Sequence, residues 1–278
     1  MSRTELVLLR HGESLWNAEA RYQGQQGTGL SALGHQQAKL AAEYLRSGVF
    51  DQIVASDLQR VTETLQPYLD SLPTADTART TGAAGTVDAA PTVDAMDAMD
   101  AVDVAGTVDA AGRAGTVGTV DAVDAAGGRG AGCSEWGGRP VVRVDRRWRE
   151  IDVGSWGGRT FADVYADEPA VVEAFRRGED VARGGGETFA QLRERVWDAI
   201  REIAGSGARR VLVVTHGGPI RVATASTLRL PPGGEVLLDP PVNCSLTTIQ
   251  VDDLLAVTTL TAYNVPTSGL ASTEEQPA

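Results

Sequence analysis

Long apolar runs, basic charge, lysine and paired cysteines are all scarce in this chain, and each scarcity removes a class of protein. The run Leu6 to Leu9 is too short for a signal-peptide core or a membrane span, and no other stretch is long enough, so no membrane partner is expected. A net charge of -12 excludes a phosphate-backbone binder, because nucleic-acid affinity needs clustered positive charge. Any anionic substrate must then be held by a local basic pocket. Cys133 and Cys244 stand far apart and in no metal-ligand spacing, which argues against a disulfide framework or a zinc site and makes the cytoplasm the default compartment.

What the chain does hold is enough apolar content, 42% of 278 residues, for one substantial core. Its composition breaks in the middle. From about Thr77 to Gly138 the sequence repeats units such as Thr86-Val87-Asp88-Ala89 and Thr107-Val108-Asp109-Ala110, almost without large apolar side chains. Small residues lose backbone freedom on folding and bury little in return, so residues 77–138 are expected to be a low-complexity, disordered insertion. The recurring aspartates raise a calcium-binding repeat as an alternative, but the paired glycines of such a β-roll are missing. Residues 266–278 read as a flexible tail. One domain therefore remains, assembled from residues 1–76 and 139–265.

Within it, short β-rich runs alternate with helical periodicity. This predicts an α/β fold, a three-layer sandwich with a mostly parallel central sheet flanked by helices. Strands are expected at Leu6–Leu9, Ile53–Ala55, Val141–Val144, Val211–Val214, Leu246–Gln250 and Thr258–Tyr263. Helices are expected after Ser31 to about Arg46, from Ser56-Asp57 to about Leu69, and over Phe161–Arg177, Glu187–Ile203 and Pro219–Leu230. Ser31 and Ser56 read as N-caps, and Asp57 and Glu187 as acidic residues favoured at positive helix ends. Glycines 185 and 186 read as a turn into the helix that follows.

Ligands of open parallel sheets collect where strands end. Arg10-His11, Ser56 to Arg60, Glu150 and His216 all follow predicted strands, so they can meet at one edge. Arginine forks suit the oxygens of a phosphoryl group there. The stretches Leu8-Leu9-Arg10-His11-Gly12-Glu13 and Val214-Thr215-His216-Gly217-Gly218 resemble the histidine phosphatase superfamily, the phosphoglycerate mutase-like family. The likeness covers roughly 3–75 and 140–264.

That resemblance implies phosphoryl transfer through a phosphohistidine. His11 is implied as the nucleophile, neutral when it attacks, with its second ring nitrogen held by a hydrogen bond. Arg10, Arg60 and His216 are implied as the phosphate pocket, His216 as a cation, while Asn17, Gln23, Gly24 and Gly217 supply further contacts to phosphate or substrate. Glu150, in Trp148-Arg149-Glu150-Ile151, is implied as the acid and base, which needs a carboxyl able to hold a proton near neutral pH. Glu13 is its competitor. Arg221 stands one turn beyond His216, either facing the pocket or at the surface, and His35 has no chemical role. No metal or other cofactor is implied, since arginines and histidine replace the divalent charge.

The closer branch is the phosphatases, because mutases carry an Asn-Glu-Arg-His-Tyr type loop where this chain reads Arg149-Glu150-Ile151-Asp152, and Lys39 is the lone lysine. The expected activity is hydrolysis of a small phosphomonoester, a sugar phosphate or phosphoglycerate derivative. The alternatives are a mutase-type isomerase and a scaffold using the acidic repeat. The loop Gln25-Gln26-Gly27-Thr28 lacks an aspartate that many relatives carry. Specificity is expected between Phe161 and Gly186, where no side-chain set identifies a leaving group, and the sequence leaves a homodimer open.

Overall fold

A computed structural model describes residues 3–72, 142–252 and 258–267. The expected insertion, the calcium-repeat alternative, Cys133 and nearly all of the expected tail lie outside the described residues.

Six strands form one sheet: β1 (Arg3–Arg10), β2 (Gln52–Ala55), β3 (Val142–Val144), β4 (Arg210–Thr215), β5 (Ser245–Asp252) and β6 (Thr258–Pro266). Their order is β3-β2-β4-β1-β5-β6. The pairs β3/β2, β2/β4 and β4/β1 are parallel, and β1/β5 and β5/β6 are antiparallel, so the sheet is mixed with a parallel half that holds the two histidine motifs.

The apolar run of β1 is uninterrupted because both sheet faces are covered. Leu6, Leu8, Val54, Val211 and Val213 point into one core, which is closed by α6 (Phe189–Gly205) and α7 (Gly217–Thr227). Val7, Leu9, Ile53, Leu212 and Val214 point the other way, onto α2 (Ala32–Leu45) and α3 (Gln59–Ser71). Alternation along each strand thus builds the three layers.

The register places the chemistry. Arg10 pairs with Thr215, and Ala55 pairs with both Val214 and Val144. His11, His216 and Ser56 are therefore the first residues beyond three neighbouring strand ends.

Two expectations change. The helix over Phe161–Arg177 is two helices, α4 (Phe161–Asp167) and α5 (Pro169–Arg176), because Pro169 disfavours helical geometry at the residue before it. Glu168, at φ -129°, forms the corner between them. The helix expected from Ser56 begins later, at Gln59, with Leu58 at its start making no side-chain cap. Ser56 and Asp57 are thereby released for other contacts. A one-turn helix, α1 (Leu15–Ala18), closed by a Ser14/Asn17 capping box, was not expected.

Candidate active site

The imidazoles of His11 and His216 lie edge to face, their centroids 5.1 Å apart. Both are buried. Nδ1 of His11 stands 2.7 Å from the carbonyl oxygen of Gly12, and because a carbonyl only accepts, Nδ1 carries the proton and Nε2 the lone pair. Gly12 has to be glycine: a Cβ there would sit 2.6 Å from the Gly34 carbonyl oxygen. Burial, and then the charges of Arg60 and Arg10, push the His11 pKa well below its ordinary value. The ring is neutral at neutral pH, as its expected role requires.

His216 is neutral as well. Burial comes first among the causes, followed by Arg60, His11 and Arg10. The cationic role expected of it therefore requires a negative group beside the ring to offset its burial. Its Nε2 is 2.9 Å from Ser56 Oγ, and its Nδ1 is buried without a partner. Ser56, read from the sequence as a helix cap, instead orients this ring.

Arg60 is buried and aimed. Its Nε donates to His11 Nε2 at 3.3 Å, and its two terminal nitrogens donate to the carbonyls of Gln26 and Gly24, each at 2.8 Å. Burial lowers its pKa to about 10, so it stays charged at neutral pH. Gly24 occupies φ +55°, where a Cβ would meet Val153 at 2.7 Å. Arg10 donates to the Pro241 carbonyl, and its Nε is buried without a partner. Gly217 lies between Arg10 and Glu150, since an added Cβ would be 3.8 Å from each side chain.

Gln23 and Asn17 line the same cavity. Gln23 Oε1 accepts from Ser14 Oγ at 2.8 Å, and Asn17 Oδ1 accepts from the Ser14 backbone at 3.1 Å, which leaves the amide nitrogen of each for a ligand.

Glu150 reaches the cavity from the loop after β3. Its Oε1 accepts from the Gly218 backbone at 3.0 Å, at the N-terminus of α7, and from Ile151 at 2.8 Å. A Cβ on Gly218 would stand 2.2 Å from that oxygen. The loop is held from behind by Arg195, which donates to the carbonyls of Arg147 and Arg149 at 2.7 Å and of Glu150 at 2.9 Å. Glu187 pairs with Arg195 at 2.8 Å and accepts from Asp152 at 2.9 Å, so it braces this loop rather than a helix end. Asp57 likewise serves as the partner of Arg149 and not as a cap. Glu13, the competing carboxylate, accepts from Ser31 at 2.6 Å and does not line the cavity, and His35 is exposed.

The cavity is lined further by side chains not named individually from the sequence, most of them within the region Phe161–Gly186 expected to set specificity. Tyr22, Phe161, Tyr165 and Phe175 line it, with Arg21, Arg176 and Arg183. Arg221 lines it too and donates to the Glu235 carbonyl, which decides its alternative readings in favour of the pocket. Six arginines thus face the cavity against one carboxylate, Glu150, in a chain of net charge -12. Arg183 was hidden by its context, since Arg183-Gly184-Gly185-Gly186 reads as a turn. An arginine fixed beside such a turn was the available sign.

Residues 6–80 and 133–262 match the model of the histidine phosphatase superfamily, branch 1. The chain is 29% identical over 240 residues to glucosyl-3-phosphoglycerate phosphatase of Mycobacterium tuberculosis, covering 83% of this chain and 78% of the relative. It is 28% identical over 256 residues to a metal-independent phosphoserine phosphatase of Arabidopsis thaliana, covering 90% and 77%. The solved structure of mycobacterial glucosyl-3-phosphoglycerate phosphatase with VO3 superposes with a TM-score of 0.62 at 27% identity, covering 94% of this chain and 99% of that one.

Proposed function

We propose that this chain, which belongs to the histidine phosphatase superfamily, hydrolyses a small phosphorylated metabolite through a phosphohistidine on His11. The observation that carries the reading is the neutral His11 ring, proton on Nδ1 and lone pair on Nε2, set beside Arg10, Arg60 and His216 with Glu150 in the same cavity. The finer identity of the substrate, a sugar phosphate or phosphoglycerate derivative, is part of the proposal, as are a cytoplasmic setting and catalysis without a divalent ion. Among the described residues no helix is long and apolar enough to cross a membrane.

Nε2 of His11 attacks phosphorus as the ester P–O bond breaks, and the leaving oxygen takes a proton from the Glu150 carboxyl. Arg10 and Arg60 offset the charge on the three equatorial oxygens. A phosphoryl dianion beside His216 favours its protonated form, in which the ring is a further donor. In the second half, Glu150 as carboxylate removes a proton from water. That water attacks phosphorus, the N–P bond breaks, and inorganic phosphate leaves with His11 restored.

The test is phosphate release from a panel of phosphomonoesters in chelator-containing buffer, with trapping of an acid-labile, base-stable phosphoryl group on the protein. The wild type should turn over and be labelled, and His11→Ala should do neither. Unchanged turnover in His11→Ala would end the proposal.

A further inference from the structure

Among the described residues, one cation of the cavity has neither a hydrogen-bond acceptor nor an ion-pair partner, whereas Arg21 is tied to Glu19 and Gly158. Arg10 is tied to Pro241, Arg60 to Gly24, Arg176 to Glu173 and Arg221 to Glu235. Arg183 makes no hydrogen bond through its guanidinium and no ion pair among the described residues, although it lines the same cavity. Its guanidinium carbon lies 4.7 Å from the ring centre of Phe175 and 4.9 Å from that of Phe189. Ring faces stabilise the charge but offer its five N–H donors no oxygen acceptor. Burial lowers its pKa to about 10, which still leaves it charged at neutral pH.

Its position is built, not incidental. Gly184 and Gly186, which follow it, pack against the loop that carries Glu150: a Cβ on Gly184 would meet the Val153 carbonyl oxygen at 2.3 Å, and one on Gly186 the Asp152 carbonyl oxygen at 2.2 Å. In return, a Cβ on Gly154 would meet the Gly184 carbonyl oxygen at 2.1 Å. Ser155 Oγ donates to that same oxygen at 3.2 Å. The two loops interlock backbone to backbone, so Arg183 is held in fixed relation to the acid.

We infer that Arg183 is the recognition residue for a second anionic group, a carboxylate or a further phosphate, on the leaving group of the substrate. The inference rests on the phosphatase reading and narrows it. A substrate with only its phosphoryl charge is met by Arg10 and Arg60 and leaves the N–H donors of Arg183 without an acceptor, its charge offset only through space by Glu150 and Asp180. A second anion presents two oxygens to the fork, between rings that exclude water and so strengthen the pair.

The experiment compares matched substrates. 3-Phosphoglycerate differs from glycerol 3-phosphate by a carboxylate in place of a hydroxymethyl group, and fructose 1,6-bisphosphate differs from fructose 6-phosphate by a phosphate. The wild type should prefer the more anionic member of at least one pair, and which pair shows it identifies the anion. In Arg183→Gln the kcat/KM ratio of that pair should fall roughly 10- to 100-fold, the worth of one charge-assisted contact, mainly through KM. Arg183→Lys, which keeps the charge, should retain more of the ratio than Arg183→Gln. Arg177→Gln, an exposed change outside the cavity, should leave the ratio alone. Hydrolysis with no preference in the wild type, or a ratio unmoved in Arg183→Gln, overturns the inference and leaves the phosphatase standing. Failure of the wild type to hydrolyse all four overturns both.

Discussion

Nε of Arg60 donates to Nε2 of His11 at 3.3 Å, so the lone pair that would attack phosphorus is covered by the cation that would receive the phosphoryl oxygens. An arriving anion has to take this donor for the lone pair to be exposed. On the proposed mechanism, substrate binding and uncovering of Nε2 would therefore be one event. Replacing Arg60 by Gln should lower kcat roughly 100- to 1,000-fold, the effect of removing a preorganised donor to transition-state charge, as measured by steady-state kinetics on any accepted substrate. A drop confined to KM would contradict it.

Acid should unfold the protein through its histidines. The folded pKa values of His11 and His216 lie well below the ordinary 6.5. Below about 6.5 the unfolded chain binds protons that the folded one refuses, so the stabilisation is present above that pH and is lost as pH falls toward the folded values. Each ring contributes a slope of up to about 1.4 kcal/mol per pH unit in that window. Urea unfolding at pH 7.5 and 5.5 measures it, and the double variant His11→Asn, His216→Asn should show a clearly shallower fall.

Glu150 depends on the missing side chain of Gly218. A methyl group there would collide with Oε1 at 2.2 Å, so Gly218→Ala should displace the acid. Turnover of alkyl phosphates, whose leaving oxygen needs a proton, should fall about 100-fold or more by the usual worth of general acid catalysis. Turnover of p-nitrophenyl phosphate, whose leaving group departs without one, should fall far less. Equal losses on both would show that the pocket, and not the proton, had been damaged.

Ser56 should matter more than a helix cap would. Ser56→Ala removes the 2.9 Å contact to Nε2 of His216 and leaves a buried ring nitrogen unpaired, a cost of about 1–3 kcal/mol in thermal or urea unfolding. Activity should fall with it, and vanadate inhibition should weaken, since the ring is no longer held toward the anion. A stability loss without any change in vanadate affinity would make Ser56 structural only.

Excision of residues 77–138 should spare catalysis. Arg60 lies at the beginning of α3, and the helix carries the chain about 18 Å from Gln59 to Ser71 at 1.5 Å per residue before that segment begins. A correctly folded deletion variant should keep kcat within about threefold, well under the tenfold that 1.4 kcal/mol represents. A large loss in a folded variant would place the segment at the site.

The parallel half of the sheet was legible because its residues carry the pattern themselves. Leu6–Leu9 and Val211–Val214 are unbroken apolar runs ending in Arg10-His11 and His216, and the register Arg10↔Thr215 then follows from two central strands ending together. That Glu150 reaches the cavity was legible from its place just after a strand end, whereas the contact of Glu13 with Ser31, outside the cavity, leaves no mark in the sequence. Ser56 was misread because Ser-Asp before a helix looks like a cap, and the extended Leu58 that delays the helix leaves no mark in the sequence. The break at Pro169 is legible in the chain itself, since proline disfavours helical geometry at the residue before it. Arg183 and the aromatic wall were not legible, because a lone arginine before three glycines gives its meaning only when another loop is packed against it.

The glycine seam between residues 152–156 and 184–186 has one further implication. At Gly154, Gly184 and Gly186 a methyl group would strike the backbone of the other strip, so the loop that follows Glu150 and the turn that follows Arg183 behave as a single casting. Altering the leaving group that the proposed reaction releases is therefore a matter of exchanging side chains, Arg183 beside the seam or Tyr165, Phe175 and Arg176 on α4 and α5, whereas lengthening either loop would displace Glu150 and Arg183 together.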